Sequence, residues 1–341
     1  MEAILLDVKR KKLWEEFVQE NRNAIAWQSY EWSDVLERHY KFQYFPVAAI
    51  EAGKIVGILP LYSIRTYFSR ETLISVPFAV AGGLVSDHEE ARRLLIGKAI
   101  ELSDKRGSCR ITLKQYKIRM EGDFQTDDNY YNRELSLTSD TSKIWGQFAD
   151  RNREMVESTG KISTELECPS VEVGVFHKLL LQHSHAKGIP CVSRRWIEDL
   201  LRFKMYTIAL LKTNGNIVAG TLVKEFKKTV SFPFTCVRHP STGNVSFAYR
   251  LYWELLKRYS ETGFEIFHSG RIPNNDITDE YRLGWGGTKH GYFYQYYPSG
   301  NAKTEFATKR GGKRALMETC WKSIPHSIAG IVGPYVVRQF P

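Results

Sequence analysis

The chain has 341 residues, too many for a single ordinary core and about right for two domains of roughly 150 residues each. Hydrophobic residues make up 43% and charged residues 25%, which excludes a disordered chain, and the longest uncharged runs of 15 residues are shorter than the roughly 20 apolar residues of a membrane-spanning helix. The net charge of +10 comes from the second half, because residues 1–150 carry 21 basic and 22 acidic residues whereas residues 151–341 carry 27 and 16. We expect that half either to attract polyanions such as nucleic acid, phosphorylated precursors or an anionic membrane face, or to serve solubility alone.

The N-terminus predicts no secretory signal, because Glu2 is acidic and only the short apolar stretch Ala3–Leu6 follows it. The five cysteines are scattered singly and form no C-x-x-C pair, which argues against a disulfide framework and against a structural zinc site. We therefore expect a cytoplasmic protein with reduced thiols.

One order of predicted elements occurs twice along the chain. Each copy begins with two apolar, β-rich runs around a polar turn that contains glycine, which is typical of a β-hairpin. A further strand follows, then a helix that ends near a glycine, then another strand. In that order, the predicted hairpin, strand, helix and strand cover 47–62, 72–78, 89–105 and 109–114 in the first copy, and 208–223, 229–236, 247–260 and 264–267 in the second.

The spacing of the two copies agrees closely. The turn glycines Gly53 and Gly215 are 162 positions apart, and the helix-ending glycines Gly107 and Gly263 are 156 apart. A repeat of this length indicates duplicated domains, since solenoid repeats are about 20–50 residues long. We expect a first domain over 1–145 and a second over 146–341, each a mixed α/β sheet with helices packed on it.

Helices are also predicted between and after the copies. The segment 142–157 predicts a helical hinge, and 171–187 and 193–203 predict two helices that open the second copy. His183 and His185 are two positions apart on the first of these helices, where they would face different directions, and we expect a solvated surface there. The segment 321–337 predicts a terminal helix broken by its prolines and glycines.

The stretch 264–287 carries the side chains best suited to chemistry. A predicted strand ends at His268, and the residues after it lie where side chains of α/β sheets meet ligands. Three glycines at 284, 286 and 287 permit either close approach to a ligand or a tight turn. The N–H donors of arginine guanidinium groups, together with aromatic rings, suit an anionic or carbonyl-bearing substrate. The arginines could instead form salt bridges with acidic residues of the same loop. The candidates are Arg271, Tyr281, Arg282 and Trp285.

Two basic clusters could contact phosphates. Arg194 and Arg195 open a predicted helix, whose N-terminus favours anions, although a solvated helix start fits equally well. The second cluster is a glycine-containing loop suited to the charge of a nucleic-acid backbone and not to its sequence, or simply solvated. Its residues are Lys303, Lys309, Arg310, Lys313 and Arg314.

Familiar catalytic signatures are absent from the sequence. It has no G-x-S-x-G, H-E-x-x-H, Walker lysine loop or G-x-G-x-x-G, and its nine histidines show no metal-ligand spacing. We therefore expect no bound metal and no resident cofactor.

Short motifs in both halves give the sequence a family resemblance. The first half reads LPLY at 59–62, LISVPF at 73–78 and GG at 82–83, and the second has Asn244, YW at 252–253, GR at 270–271 and YRLGWG at 281–286. This set resembles the FemAB-like family of the GNAT acyltransferase superfamily, and the ending 316–341 is similar to members found in exopolysaccharide gene clusters.

The resemblance implies tandem GNAT-like domains, with mixed, mostly antiparallel sheets flanked by helices. It further implies transfer of an acyl group, often an aminoacyl group from tRNA, to an amine of a cell-envelope or polysaccharide precursor. The acyl donor would be a co-substrate and the partners would be tRNA and that precursor.

The resemblance and the local chemistry together assign expected roles. Arg282 stands where the family usually has lysine, and we expect it to stabilise the oxyanion of the tetrahedral intermediate. His268 is the candidate base, and Arg271 would orient the acceptor or a phosphate. Substrate contact is further expected from Tyr281, Trp285, Asn244, Arg194 and Arg195.

Two other functions stay open. The loop 238–243 lacks the phosphate loop typical of acetyl-CoA-binding GNATs, which favours aminoacyl-tRNA over acyl-CoA as donor without excluding the latter. A catalytically silent protein on the same scaffold could instead bind polyanions or the inner face of the membrane, with 323–337 resting against lipid.

Overall fold

The computed structural model describes residues 1–67, 71–107, 109–168, 172–238, 245–274, 280–298 and 312–341. Contacts divide the chain into two compact units. The first unit comprises Met1–Tyr130, Gly291–Ala307 and Arg338–Pro341, and the second comprises Tyr131–His290 and Thr308–Val337.

Within the described residues, the helices are α1 (Lys11–Glu20), α2 (Tyr30–Tyr40), α3 (Glu89–Asp104), α4 (Thr141–Trp145), α5 (Asp150–Glu157), α6 (Val173–Lys187), α7 (Arg194–Arg202), α8 (Ser246–Glu261), α9 (Glu280–Leu283), α10 (Gly312–Ser323) and α11 (His326–Val337). The strands are β1 (Glu2–Leu5), β2 (Gln43–Glu51), β3 (Lys54–Ile64), β4 (Thr72–Ser75), β5 (Val85–Ser86), β6 (Arg110–Tyr116), β7 (Gln125–Ser136), β8 (Glu165–Glu167), β9 (Tyr206–Thr213), β10 (Asn216–Phe226), β11 (Thr229–Ser231), β12 (Cys236–Val237), β13 (Ile266–His268), β14 (Ile272–Pro273) and β15 (Thr288–Tyr297).

The sheet of the first unit has the strand order β1-β2-β3-β4-β6-β15, with β5 beside β3. Its pairs are antiparallel except for β4 and β6, which run parallel. The hairpin of β2 and β3 turns through Ala52 and Gly53, both with positive φ, as a two-residue type I′ turn requires. Helix α3 covers the sheet, and its buried Leu95 and Ala99 belong to the same core as Leu59 and Leu61 of β3.

The sheet of the second unit repeats this arrangement, with the order β7-β13-β11-β10-β9-β8 and β12 beside β10. Strands β9 and β10 form the hairpin, turning through Asn214 and Gly215 with positive φ, and β11 and β13 form the parallel pair. Helix α8 covers the sheet, and its Leu251 and Leu255 share a core with Val223 of β10. The predicted fold class, two like-built mixed α/β sheets flanked by helices, is therefore confirmed.

The division into units differs from the predicted boundary between residues 145 and 146. Strand β7 follows β6 in the chain, but its residues Glu134–Ser136 pair with β13, which places them in the second unit. Strand β15 follows β13, but residues 292–297 pair with β6 and belong to the first unit. The second unit thus includes part of β7, which the sequence placed in the first domain, and the first unit includes most of β15, which the sequence placed in the second. The two units therefore cannot be separated at one position of the chain.

Local breaks refine the predicted helices. The expected hinge helix 142–157 is two helices, α4 and α5, and the expected terminal helix is divided at Pro325 into α10 and α11. The aromatic residues that line α8 face the core of the second unit, as their helical spacing indicates; they are Phe247, Tyr249 and Tyr252. None of the helices formed by the described residues has the length and apolar character needed to cross a membrane.

The expectation of a solvated surface at His183 and His185 is wrong. His183 is buried between α6 and β12, and its Nδ1 accepts a hydrogen bond from the backbone N–H of Val237 at 3.1 Å. The Nε2 of His185 lies 2.7 Å from the carbonyl oxygen of Ile324, and its ring lies 4.0 Å from that of His326, centroid to centroid. Helix α6 is covered by other elements on both of these sides, which the sequence of one helix does not reveal.

Candidate functional site

A cluster of titratable side chains lies in the second unit where β13 ends. His268 is the last residue of β13, Glu134 belongs to β7, and His290 lies near the start of β15. Oε1 of Glu134 is 3.1 Å from Nε2 of His268, and its Oε2 is 3.1 Å from Nε2 of His290. One carboxylate therefore orients two imidazoles, all three side chains being mostly buried. We refer to this trio as the Glu134 relay.

The backbone that follows β13 is fixed against β7. Ser269 donates its backbone N–H to the carbonyl of Arg133 at 3.1 Å and accepts the N–H of Arg133 on its hydroxyl at 3.0 Å. The buried amide oxygen of Asn132 accepts the backbone N–H of Gly270 at 3.1 Å. These bonds hold the segment between His268 and Arg271 in one conformation, so the position of His268 is set by β7.

Arg282 and Arg271 are neighbours at the surface of the second unit. Arg282 projects from the short helix α9, and its Nη1 donates a hydrogen bond to the carbonyl oxygen of Arg271 at 2.9 Å. Both side chains are exposed. The guanidinium group of Arg282 therefore lies beside the backbone of Arg271, and the cationic site predicted for these two residues stays a prediction.

Trp285 belongs to the core of the second unit, and Tyr281 is partly buried against that core. Trp285 is 1% exposed and stacks on Tyr252 with ring centroids 5.2 Å apart, and the ring of Tyr281 packs edge-on against Tyr249 at 4.6 Å. Burial, reinforced by the neighbouring tyrosines, raises the pKa of the Tyr281 hydroxyl well above its ordinary value. The rings of both residues pack against α8, and the substrate contact predicted for them stays a prediction.

The glycines of this stretch serve close approach within the protein. A Cβ at Gly284 would lie 1.9 Å from Oδ1 of Asn152 in α5, and one at Gly287 would lie 2.5 Å from the carbonyl oxygen of Glu134. Gly287 also has φ of +87°, which favours glycine. Both glycines therefore bring the chain after α9 against α5 and β7, and Gly287 helps to place β15 beside the Glu134 relay.

The other residues that were predicted to bind substrate or phosphate make no described contact with this cluster. Arg194 opens α7, where its Nε lies 2.8 Å from Glu198, and Arg195 is exposed beside it. Asn244, Lys303, Lys309 and Arg310 lie outside the described residues. Lys313 and Arg314 belong to the first turn of α10, and their side chains are also outside what the structure describes.

Glu134 and His290 are the residues that the sequence analysis missed. Glu134 stands in a polar stretch between the two repeated copies, and His290 stands two residues before an aromatic strand. His290 lies just after the candidate stretch, but Glu134 lies 134 positions before His268, and no local pattern joins either residue to His268.

The cluster has the groups needed for acyl transfer to an amine. A histidine oriented by a carboxylate can accept a proton, and guanidinium groups can stabilise negative charge on an oxygen. Among the described residues, no three His, Cys, Asp or Glu side chains are arranged as ligands of a metal ion.

Structural comparison places this fold among tandem GNAT proteins. A structure of FemX matches with a TM-score of 0.69 at 12% identity, covering 86% of this chain and 97% of that one. L-PGS from Bacillus licheniformis matches with a TM-score of 0.54 at 12% identity, covering 93% and 96%. A tandem GNAT protein from the clavulanic acid biosynthesis pathway matches with a TM-score of 0.54 at 11% identity, covering 86% and 97%.

These likenesses confirm the fold that the FemAB-like resemblance implied, over most of the chain. No family model matches the sequence, and the search of curated proteins found no match. Identities this low show a shared fold, and activity rests on the residues of the site.

Proposed function

We propose that this protein is an N-acyltransferase whose reaction centre lies beside the Glu134 relay in the second unit. The observation that carries the proposal is the pair of His268 and Glu134, 3.1 Å apart. Arg271 follows His268 in the chain, and Arg282 of α9 is hydrogen-bonded to the carbonyl oxygen of Arg271. The fold shared with FemX and with a tandem GNAT protein is compatible with this reaction class.

The reaction would proceed by addition and elimination at a carbonyl. The acceptor amine attacks the carbonyl carbon of the activated acyl donor, forming a C–N bond and placing negative charge on the oxygen, which Arg282 stabilises. His268 accepts the proton that the amine loses, and the Glu134 carboxylate stabilises the resulting imidazolium. Collapse of the intermediate breaks the bond to the leaving group, which takes the proton from His268.

The donor that we propose is an aminoacyl-tRNA, whose leaving group is a ribose hydroxyl. The second half of the sequence carries 27 basic and 16 acidic residues, a charge that suits a polyanionic donor. The acceptor would be an amine of a cell-envelope or polysaccharide precursor, as the FemAB-like resemblance implies. The protein would then work at the inner face of the membrane.

The test measures the formation of amide bonds. Protein is incubated with radiolabelled aminoacyl-tRNAs or with radiolabelled acetyl-CoA and a pool of amine-bearing envelope precursors, followed by mild alkali, which hydrolyses aminoacyl esters and leaves amides. We expect alkali-stable label from aminoacyl-tRNA with the wild-type protein, about 100-fold less with His268→Gln, and undiminished label with the exposed control His88→Gln.

Other outcomes would replace the proposal. Label from acetyl-CoA alone would make the protein an acyl-CoA-dependent transferase. No product from either donor, together with salt-sensitive binding of tRNA or anionic vesicles, would identify a catalytically silent binding protein.

A further inference from the structure

The last helix of the second unit packs through its small residues. In α11, Ala329 is fully buried, and a Cβ at Gly333 would lie 2.8 Å from the carbonyl oxygen of Cys191. A Cβ at Gly330 would lie 3.2 Å from Cδ2 of Leu181 in α6. The backbone of α11 therefore lies close against α6 and the loop after it, which leaves room for large side chains only on the outside.

Those large side chains are apolar and exposed. The exposed fractions of Ile328, Ile331, Val332 and Tyr335 are 48, 68, 38 and 70%. Their spacing of three, four and seven positions places all four on one side of the helix, which we name the α11 face. A surface helix of a globular protein normally turns such a stripe toward the core, and a contiguous exposed apolar patch marks an interaction surface.

The sequence of α11 and its flanks carries positive charge only. Residues 319–341 contain Lys322 and Arg338 and no Asp or Glu. Lys322 is exposed at the end of α10, whose Trp321 packs against the backbone of α11 at Gly333. An apolar stripe in basic surroundings complements a surface that is both apolar and anionic.

We propose that the α11 face rests on an anionic lipid membrane. The helix has 12 residues, so it is about 18 Å long and suits a position parallel to the membrane plane, with its apolar side chains between the acyl chains and Lys322 at the phosphates. A second copy of this chain fits less well, because two α11 faces in contact would bring two basic segments together. This inference does not depend on the proposed catalytic activity.

Vesicle co-sedimentation tests the proposal with the full-length protein. We expect binding to phosphatidylglycerol-containing vesicles and little binding to vesicles of pure phosphatidylcholine. Ile331→Asp should weaken the binding to anionic vesicles at least about 10-fold, because it places a carboxylate in the apolar stripe. Val8→Asp is the matched control, since Val8 is an apolar residue of the first unit that is 65% exposed, and it should bind as the wild type does.

Two further measurements separate apolar contact from charge and from self-association. Lys322→Glu should weaken binding at low salt and reduce its dependence on salt. Light scattering should show the same mass for the wild type and for Ile331→Asp. The proposal is overturned by wild-type protein that leaves anionic vesicles unbound, by equal binding to both lipids, by unchanged binding of Ile331→Asp, or by a dimer that this variant dissociates.

Discussion

Glu134 and His268 face each other across the antiparallel strands β7 and β13. The register pairs their Cα positions directly, and the side chains are joined as well, with Oε1 of Glu134 3.1 Å from Nε2 of His268. Because the pair is held by the sheet and not by a loop, the imidazole has a fixed orientation, which a proton acceptor in acyl transfer requires.

Replacing Glu134 by Gln tests the charge of the relay. The amide keeps the size of the side chain but cannot stabilise an imidazolium, so we expect kcat to fall about 100-fold with KM little changed. Steady-state transfer assays measure both constants. Glu121→Gln, at an exposed position of the first unit, is the control, and an equal kcat in the two variants would remove the relay from the mechanism.

Arg282→Ala should lower kcat by about 100-fold, since one donor to the oxyanion is lost. Arg282→Lys should recover part of the rate because it retains a cation. Thermal unfolding of both variants should stay close to that of the wild type, since the side chain is exposed. Arg93→Ala, on the exposed side of α3, provides the comparison, and an Arg282→Ala enzyme as fast as this control contradicts the assigned role.

His183 makes stability depend on pH. Burial lowers its pKa from 6.5 to about 4, so the folded protein binds this proton more weakly than the unfolded chain. Stability contributed by the neutral imidazole is therefore fully present above pH 6.5 and is lost as the pH falls toward 4, by about 3 kcal/mol.

Denaturant unfolding at several pH values measures this loss. His183→Gln can still accept the hydrogen bond from Val237 and should flatten the pH dependence between about 4 and 6.5, whereas His88→Gln should keep the wild-type slope. Parallel curves for the wild type and His183→Gln would assign the acid sensitivity to other groups.

Phe234 carries backbone strain that two substitutions can separate from its ring. Its φ is +60°, a conformation that costs a non-glycine residue about 1–2 kcal/mol. Phe234→Gly and Phe234→Ala both remove the ring, but only glycine relieves the strain. We expect the glycine variant to be more stable than the alanine variant by about 1 kcal/mol in chemical denaturation. The reverse order would show that the backbone strain at this position is smaller than the entropy that glycine adds to the unfolded chain.

The duplicated fold could be predicted because its signals are local. Hairpin turns at Gly53 and Gly215 and helix ends at Gly107 and Gly263 recur at nearly constant spacing. The structure adds another repeat, since S-x-P-F occurs at 75–78 and at 231–234, and Phe78 has φ of +59° against +60° for Phe234. Local patterns do not specify which strands pair with each other. The pairing of β7 with β13 and of β15 with β6 was therefore not predicted.

The candidate site was predicted only in part for the same reason. His268, Arg271 and Arg282 could be identified from the end of one strand and its loop, all within 15 positions of sequence. Glu134 lies 134 positions from His268, and only the register of β7 against β13 brings them together. In the sequence, a tryptophan among glycines is compatible with a pocket wall and with a core position. The packing of Trp285 on Tyr252 in the structure shows the core position.

The placement of β15 has a consequence for synthesis on the ribosome. The first unit needs residues 292–297 to pair with β6, and these follow more than 150 residues of the second unit. The N-terminal half therefore leaves the exit tunnel with one edge of its sheet unpaired and keeps it so until residues 292–297 have also been synthesised. An unpaired edge invites association with other nascent chains, so we expect early stalling or premature termination to yield aggregates and not a folded fragment.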